Sequence, residues 1–221
     1  MKHDKNNHEG YIYALRFKWL TAVYDLFVGA TMRERRFKSA LIRQAHIREG
    51  STILDVGCGT ATLTVMIKNA HPDATVYGVD GDPAILARAA DKASREGVQL
   101  SFKEAMSDSL PYPDGHFDRV FSSLMFHHLT TDKKVATLKE IYRVLKKGGA
   151  LFIADFGRPS NLMMKIIFSI IRILDSPETT LDNVKGLIPA RMESAGFKEV
   201  AVTYSLNTVF GTVCFYRGEK R

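Results

Sequence analysis

The sequence predicts a single doubly wound α/β domain, a mostly parallel sheet with helices on both faces. Three observations carry this. Short apolar runs alternate with helical patterns from Thr52 to Asp155, the arrangement that βαβ crossovers produce. A glycine pair, Gly57 and Gly59, follows the first apolar run directly. The length of 221 residues, with 45% hydrophobic and 25% charged, suits one soluble domain with a sizeable core.

The elements follow in order. Tyr11 to Ile47 reads as two helices, the second placing Phe37, Ala40, Leu41 and Ala45 on one face. Thr52 to Val56 is the first buried strand. Thr62 to Ala70 follows as a helix with Leu63, Met66, Ile67 and Ala70 together, and Thr75 to Asp80 is the second strand. Asp82-Pro83 opens the next helix, because Asp caps free N–H groups and Pro suits the first helical position. Its expected buried stripe is Ile85, Leu86, Ala89, Ala90 and Ala93. Val98 to Phe102 and Asp118 to Ser122 are the third and fourth strands. Thr131 to Leu145 is an amphipathic helix with Val135, Leu138, Ile141, Tyr142 and Leu145 on one side, and Lys146-Lys147-Gly148-Gly149 is expected to stop it. Ala150 to Asp155 is the fifth strand.

Beyond Arg158-Pro159 the pattern changes. Asn161 to Leu174 is almost wholly apolar, with a narrow polar stripe of Asn161, Lys165, Ser169 and Arg172. It is too short to span a bilayer, which takes ~20 residues. Asn183 to Ala195 reads as one further helix ended by Gly196. Phe197 to Tyr204 and Thr208 to Tyr216 read as a hairpin around Asn207.

Charge and cysteine content exclude several classes. The two cysteines, Cys58 and Cys214, are far apart, so neither a disulfide framework nor a zinc site is expected, and a reducing cytoplasm fits. No metal is expected. Met1 to Gly10 is polar and lacks the apolar core of a signal peptide. The net charge of +7 is spread along helices, with no alternation of basic and aromatic residues as a nucleic-acid platform requires. Nucleic acid is therefore not the expected partner, whereas contact with an anionic membrane surface stays open.

The chemistry concentrates at Leu54-Asp55-Val56-Gly57-Cys58-Gly59-Thr60-Ala61-Thr62. Glycines after a buried strand let backbone N–H groups approach a ligand. The third glycine of a dinucleotide-binding loop would fall at Thr62, and Asp55 would repel phosphates, which disfavours a pyrophosphate cofactor. Asp55 suits a cationic amino-acid group instead. Asp80, ending the second strand, stands where an acid accepts ribose hydroxyls. The site thus suits a nucleoside carrying an amino acid and no phosphate.

These residues, with Val79-Asp80, Leu110-Pro111-Tyr112-Pro113-Asp114, Phe117-Asp118 and Val144-Leu145-Lys146-Lys147-Gly148-Gly149, resemble the class I S-adenosylmethionine-dependent methyltransferases of the ubiquinone/menaquinone-biosynthesis kind. The resemblance covers close to half the chain. It implies a Rossmann-like, seven-stranded sheet with an antiparallel last strand, and S-adenosylmethionine as cofactor, leaving as S-adenosylhomocysteine. It implies that Gly57 and Gly59 pack on the cofactor and that Asp80 holds the ribose; Cys58 and Gly81 join them as neighbours. Where such enzymes commonly carry an acid for the adenine amino group, this chain has Met106, so apolar packing of Met106 and backbone groups near Ser107 are expected to hold the base. Ser122, Ser123 and Leu124 are expected beside the methionine part. Tyr24, in Tyr24-Asp25-Leu26-Phe27, is the expected contact from an N-terminal helix.

His127, His128 and Asp155 are the catalytic candidates. They lie beyond the carboxyl ends of the fourth and fifth strands, where ligands bind in open α/β sheets. Either histidine could take a substrate proton and Asp155 could orient a hydroxyl; capping and packing roles stay open for all three. The apolar helix at 161–174 suits a lid over a hydrophobic small-molecule acceptor, such as a lipid or quinol; a homodimer interface and peripheral membrane contact are the alternatives. All 221 residues are read as one domain: a helical cap at 1–47, a cofactor-binding core at 48–158, and a lid helix with hairpin at 159–221. An RNA or protein methyltransferase and a non-catalytic cofactor-binding protein are the rival functions.

Overall fold

The computed structural model of the chain describes residues 34–166, Ser169 and 177–221. Helix α1 (Glu34–Gln44) leads into β1 (Thr52–Val56), α2 (Thr62–Ala70), β2 (Thr75–Asp80), α3 (Pro83–Arg95) and β3 (Ser101–Glu104). Then come β4 (Phe117–Ser123), a single 3-10 turn (Phe126–His128), α4 (Thr131–Val144), β5 (Leu145–Phe156), α5 (Pro177–Lys185), α6 (Ile188–Ser194), β6 (Lys198–Thr208) and β7 (Gly211–Glu219). The seven strands form one sheet in the order β3-β2-β1-β4-β5-β7-β6. β1 to β5 pair in parallel, and β7 runs antiparallel between β5 and β6.

The alternation of side chains along each strand sorts the core into two layers. Ile53, Phe121, Phe152 and Phe215 face α1 and α2, where Phe37, Leu41, Leu63 and Ile67 meet them. Leu54, Val120, Leu151 and Ile153 face the other way, onto Leu138 and Ile141 of α4 and Ile188 and Met192 of α6. The strand order reverses between β1 and β4, and that switch point brings the carboxyl ends of β1, β2, β4 and β5 around one crevice. The motif at Leu110 to Asp114 is tied to α4 by Arg143, which donates to the Leu110 and Tyr112 carbonyls and to Asp114. Among the described residues no helix is long and apolar enough to cross a membrane.

Several elements differ from the sequence reading. β3 starts at Ser101, not Val98: the 98–100 stretch packs back on α3 as an irregular turn. Lys146 to Gly149 does not stop α4 but forms the start of β5. The register there shifts between Phe117 and Arg119, Gly148 takes φ +80°, and Gly148 and Gly149 exchange backbone bonds with Lys220. These glycines serve a bulge. The helix read over Asn183 to Ala195 is two, because Gly186 turns at φ +69° and Pro189 starts α6 afresh. The hairpin turns at Val209-Phe210 rather than at Asn207, whose side-chain Oδ1 instead accepts from the hydroxyls of Ser160 and Thr212. Ala70 and Ala90 are exposed, whereas Thr64 and Val65 of α2 are buried, as are Lys134 and Thr137 of α4. Asp82 caps α3 as read, accepting from Ala84 N and Ile85 N.

Candidate active site

At the end of β1 the chain turns sharply. Gly57 and Gly59 take φ of +69° and +54°, and the amides of Gly57 and Cys58 both donate to the Val79 carbonyl, pinning the turn to β2. A side chain at Gly57 would meet Met125 Cγ at 2.4 Å, so the turn fits closely under the loop that follows β4. Gly59 has open space on the same test. Cys58 packs its side chain inward against Gly78, its thiol pushed up by burial, which leaves its backbone on the turn.

Asp55 is buried, at 1% exposure. One carboxylate oxygen accepts from Thr64 Oγ1 at 2.7 Å, while Oδ1 is buried without a hydrogen-bond partner. Burial pushes its pKa up to about 6, against the opposing hydrogen bond from Thr64. An acceptor held dry beside a glycine turn fits a ligand ammonium, which would satisfy the orphan oxygen and restore the charge. Asp80 accepts from Gly59 N at 2.9 Å and Asp82 N at 3.1 Å, so it braces the glycine turn. Burial raises its pKa, with the Gly59 amide opposing. Gly81 bends the chain between these two acids.

Met106 begins the turn after β3, half-buried, its carbonyl accepting from Ser109 N. Ser107 spends its hydroxyl on Thr137 of α4 at 2.8 Å. Ser122 likewise donates its hydroxyl to the Val56 carbonyl at 2.9 Å; its neighbour Ser123 keeps a buried hydroxyl with no partner. Leu124 adopts φ +56°, uncommon for a branched residue, with its amide on the Ala154 carbonyl. Tyr24 lies outside the described residues.

The structure brings the three catalytic candidates together. His127, 1% exposed, sets Nδ1 2.8 Å from Asp155 Oδ1. The Asp155 carboxylate also accepts from the Phe156 amide at 2.7 Å. Burial alone would raise the Asp155 pKa; the charge and hydrogen bond of His127 outweigh it and hold the carboxyl below its usual range. His128 lies against His127, ring centroids 3.9 Å apart. Burial first, then the adjacent His127, pushes its pKa down to about 3, so it is neutral.

Sequence reasoning missed the residues behind this pair. Asn183 of α5 donates to the Phe156 carbonyl at 2.7 Å and approaches Asp155 Oδ1 at 3.4 Å, with its own Oδ1 buried and unpartnered. α5 turns Thr179, Thr180, Asp182 and Asn183 inward. Lys134 donates to the Leu129 and Thr179 carbonyls, and Asp182 accepts from Thr131 Oγ1 and pairs with Arg191. A polar inward face gives no apolar periodicity to find. Met125 and Thr64 were legible only as ordinary loop and helix residues. Among the described residues no group of three or more His, Cys, Asp or Glu is placed to hold a metal ion. A groove of about 670 Å³ between α1 and α2, reaching Lys92 of α3, contains none of the candidate cofactor-binding or catalytic residues.

A family profile described as a methyltransferase domain matches residues 53–149. A demethylmenaquinone methyltransferase of Thermus thermophilus is 34% identical over 70% of this chain and 70% of its own length. An uncharacterised methyltransferase of Synechocystis is 30% identical over 85% of this chain and 86% of its own. A ubiquinone/menaquinone biosynthesis C-methyltransferase UbiE of Shewanella frigidimarina is 27% identical over 98% and 97%. The solved structure of an S-adenosylmethionine-dependent methyltransferase from Aquifex aeolicus superposes with a TM-score of 0.62 at 19% identity, covering 82% of this chain and 88% of that one. One from Methanosarcina mazei gives 0.65 at 20% identity, covering 81% and 98%. With the glycine turn between two acids on the sheet these structures share, the chain belongs to the class I S-adenosylmethionine-dependent methyltransferases of the ubiquinone/menaquinone-biosynthesis kind.

Proposed function

We propose that the enzyme methylates a small hydrophobic acceptor that must lose a proton, such as a phenol- or quinol-type ring, with His127 as the base and Asp155 as the group that orients it. The observation that carries this is the buried His127 Nδ1–Asp155 Oδ1 contact of 2.8 Å at the carboxyl edge of β4 and β5. With Nδ1 hydrogen-bonded to a carboxylate, the imidazole presents Nε2 as the proton acceptor, and the imidazolium that forms is stabilised by Asp155.

The cofactor is assigned to the crevice beside the glycine turn. Asp55 Oδ1 would accept from its ammonium, Asp80 from its ribose, and Gly57, Gly59 and Gly81 would line it with backbone. Ser123 and Leu124 would border its methionine part and Met106 its base. When bound, S-adenosylmethionine supplies an electrophilic methyl group on a sulfonium. The protein's share is alignment, exclusion of water and removal of one proton. Two features support a hydrophobic acceptor: the similarity to methyltransferases named for quinone biosynthesis, and the exposed apolar side chains of Leu162, Met163 and Ile166 next to β5.

The test is transfer of a labelled methyl group from the cofactor to extracted lipids, with the partition of label followed between organic and aqueous phases. Label in the organic phase that disappears with His127→Ala supports the proposal. Label confined to water-soluble products, or undiminished by His127→Ala and Asp155→Asn together, overturns it.

A further inference from the structure

The rim beside the carboxyl end of β5 exposes an apolar patch built from two separate segments. After Gly157 the chain is capped by Asn161, whose Oδ1 accepts from Met164 N at 2.9 Å, and begins a helical turn at 162–166. Met164 is the inward anchor at 4% exposure, while Leu162, Met163 and Ile166 point outward at 73%, 61% and 57%. The second segment is the β6–β7 turn, where Val209 is 56% exposed. Ser160 joins the two: its hydroxyl donates to Asn207 Oδ1 at 2.7 Å and its amide to Thr212 Oγ1 at 3.1 Å. Ser160 therefore holds the segment that carries Leu162, Met163 and Ile166 beside the one that carries Val209.

The two segments carry charge of one sign. Residues 157–166 and 204–213 contain no Asp or Glu; their charged residues are Arg158 and Lys165, both exposed. The whole chain carries a net +7. We infer that this rim docks on an anionic lipid bilayer, with Leu162, Met163, Ile166 and Val209 entering the headgroup boundary and Arg158 and Lys165 meeting lipid phosphates. A cluster of apolar side chains edged by basic ones is the chemistry of an interfacial contact, in which burial of apolar area and attraction to anionic lipids add. A second copy of the chain fits the patch less well. A stable dimer buries about 800 Å² per partner, more than these side chains offer, and a two-fold partner would set one positive rim against the same positive rim. Docking here would set the site of the proposed acceptor chemistry close to the phase that dissolves hydrophobic molecules, but lipid binding itself does not depend on which acceptor the enzyme takes.

The experiment is co-sedimentation of the whole chain with vesicles of phosphatidylglycerol and phosphatidylcholine, and with phosphatidylcholine alone, without any acceptor. Leu162→Gln/Ile166→Gln and Val209→Glu test the two segments, and Lys165→Glu tests the charge. Calorimetric titration with S-adenosylhomocysteine confirms that each variant is folded. The expected result is binding to the anionic vesicles, weakened by added salt and by Lys165→Glu, and roughly tenfold or more weaker in the double Gln variant. Partition that is absent in the parent chain, or equal in parent and variants, overturns the inference. So does a dimer in sedimentation equilibrium that these variants dissociate, which would give the patch to a second copy. Failure here with organic-phase methylation intact would leave the acceptor reading standing, and the converse would leave the docking surface.

Discussion

Replacing Asp55 by Asn should change how stability depends on pH and should weaken cofactor binding. The folded protein holds this carboxyl at about 6, raised from an ordinary 3.8 by burial. Between those values the folded state binds more protons than the unfolded chain, so ionising Asp55 costs stability as pH rises through that window. At 1.36 kcal/mol per pH unit, the full cost above pH 6 is about 3 kcal/mol. Asn carries no such cost and can keep the bond from Thr64, but it places an amide where the orphan Oδ1 stood, an unsatisfied polar group worth roughly 1–3 kcal/mol. The two effects offset at neutral pH, so the diagnostic quantity is the slope. Relative to the parent chain, Asp55→Asn should gain about 2.4 kcal/mol between pH 4 and pH 7 in urea unfolding. Binding should show the reverse. Losing a charge-assisted bond costs about 1.5–3 kcal/mol, so S-adenosylhomocysteine should bind about 10- to 150-fold more weakly at pH 7 in calorimetry. The parent's affinity should fall below pH 6 and the variant's should not. A stability difference that is flat in pH would refute the buried, ionisable Asp55; unchanged affinity would remove it from the cofactor site.

The other predictions concern the remaining parts of the crevice. Asp80→Ala should weaken cofactor binding by one to a few kcal/mol in the same titration, since it loses both the proposed ribose acceptor and the brace on Gly59 N. Gly57→Ala should destabilise the fold by about 1–3 kcal/mol in thermal unfolding, from its positive φ and the approach to Met125; Gly57→Ala/Met125→Ala should recover the steric part, whereas Gly59→Ala should show only the backbone cost. Asp155→Asn should lower turnover by roughly 10²–10⁴ while leaving cofactor affinity intact, and near-normal turnover would leave alignment as the whole mechanism. Because the Asp155 pKa is depressed, the hydrogen bonds its carboxylate accepts contribute stability above the ordinary carboxylate range and lose it as pH falls, so the parent's lead over Asp155→Asn should shrink on acidification.

The sequence alone determined what depends on local chemistry and periodicity. Apolar runs marked β1, β2, β4 and the inner part of β5, because a strand buried on both faces must be apolar throughout, whereas the exposed edge strand β3 was read three residues early. Asp82-Pro83 marked its helix start through capping, and the glycine turn between Asp55 and Asp80 marked the crevice proposed for the cofactor, since only glycine takes those φ values without strain. His127 and Asp155 were both picked, but as separate residues 28 apart. Their pairing needed the parallel register of β4 and β5, which sets the ends of those strands side by side. Tertiary contacts also decided the fate of each polar side chain: Ser122 and Ser107 were absorbed by Val56 and Thr137, while Ser123 stayed without a partner. The inward polar face of α5, the glycine bulge at the start of β5 and the break at Gly186 were likewise invisible in one dimension. A hydrogen bond or a bulge is satisfied by whatever the fold brings near, and no spacing along the chain records that partner.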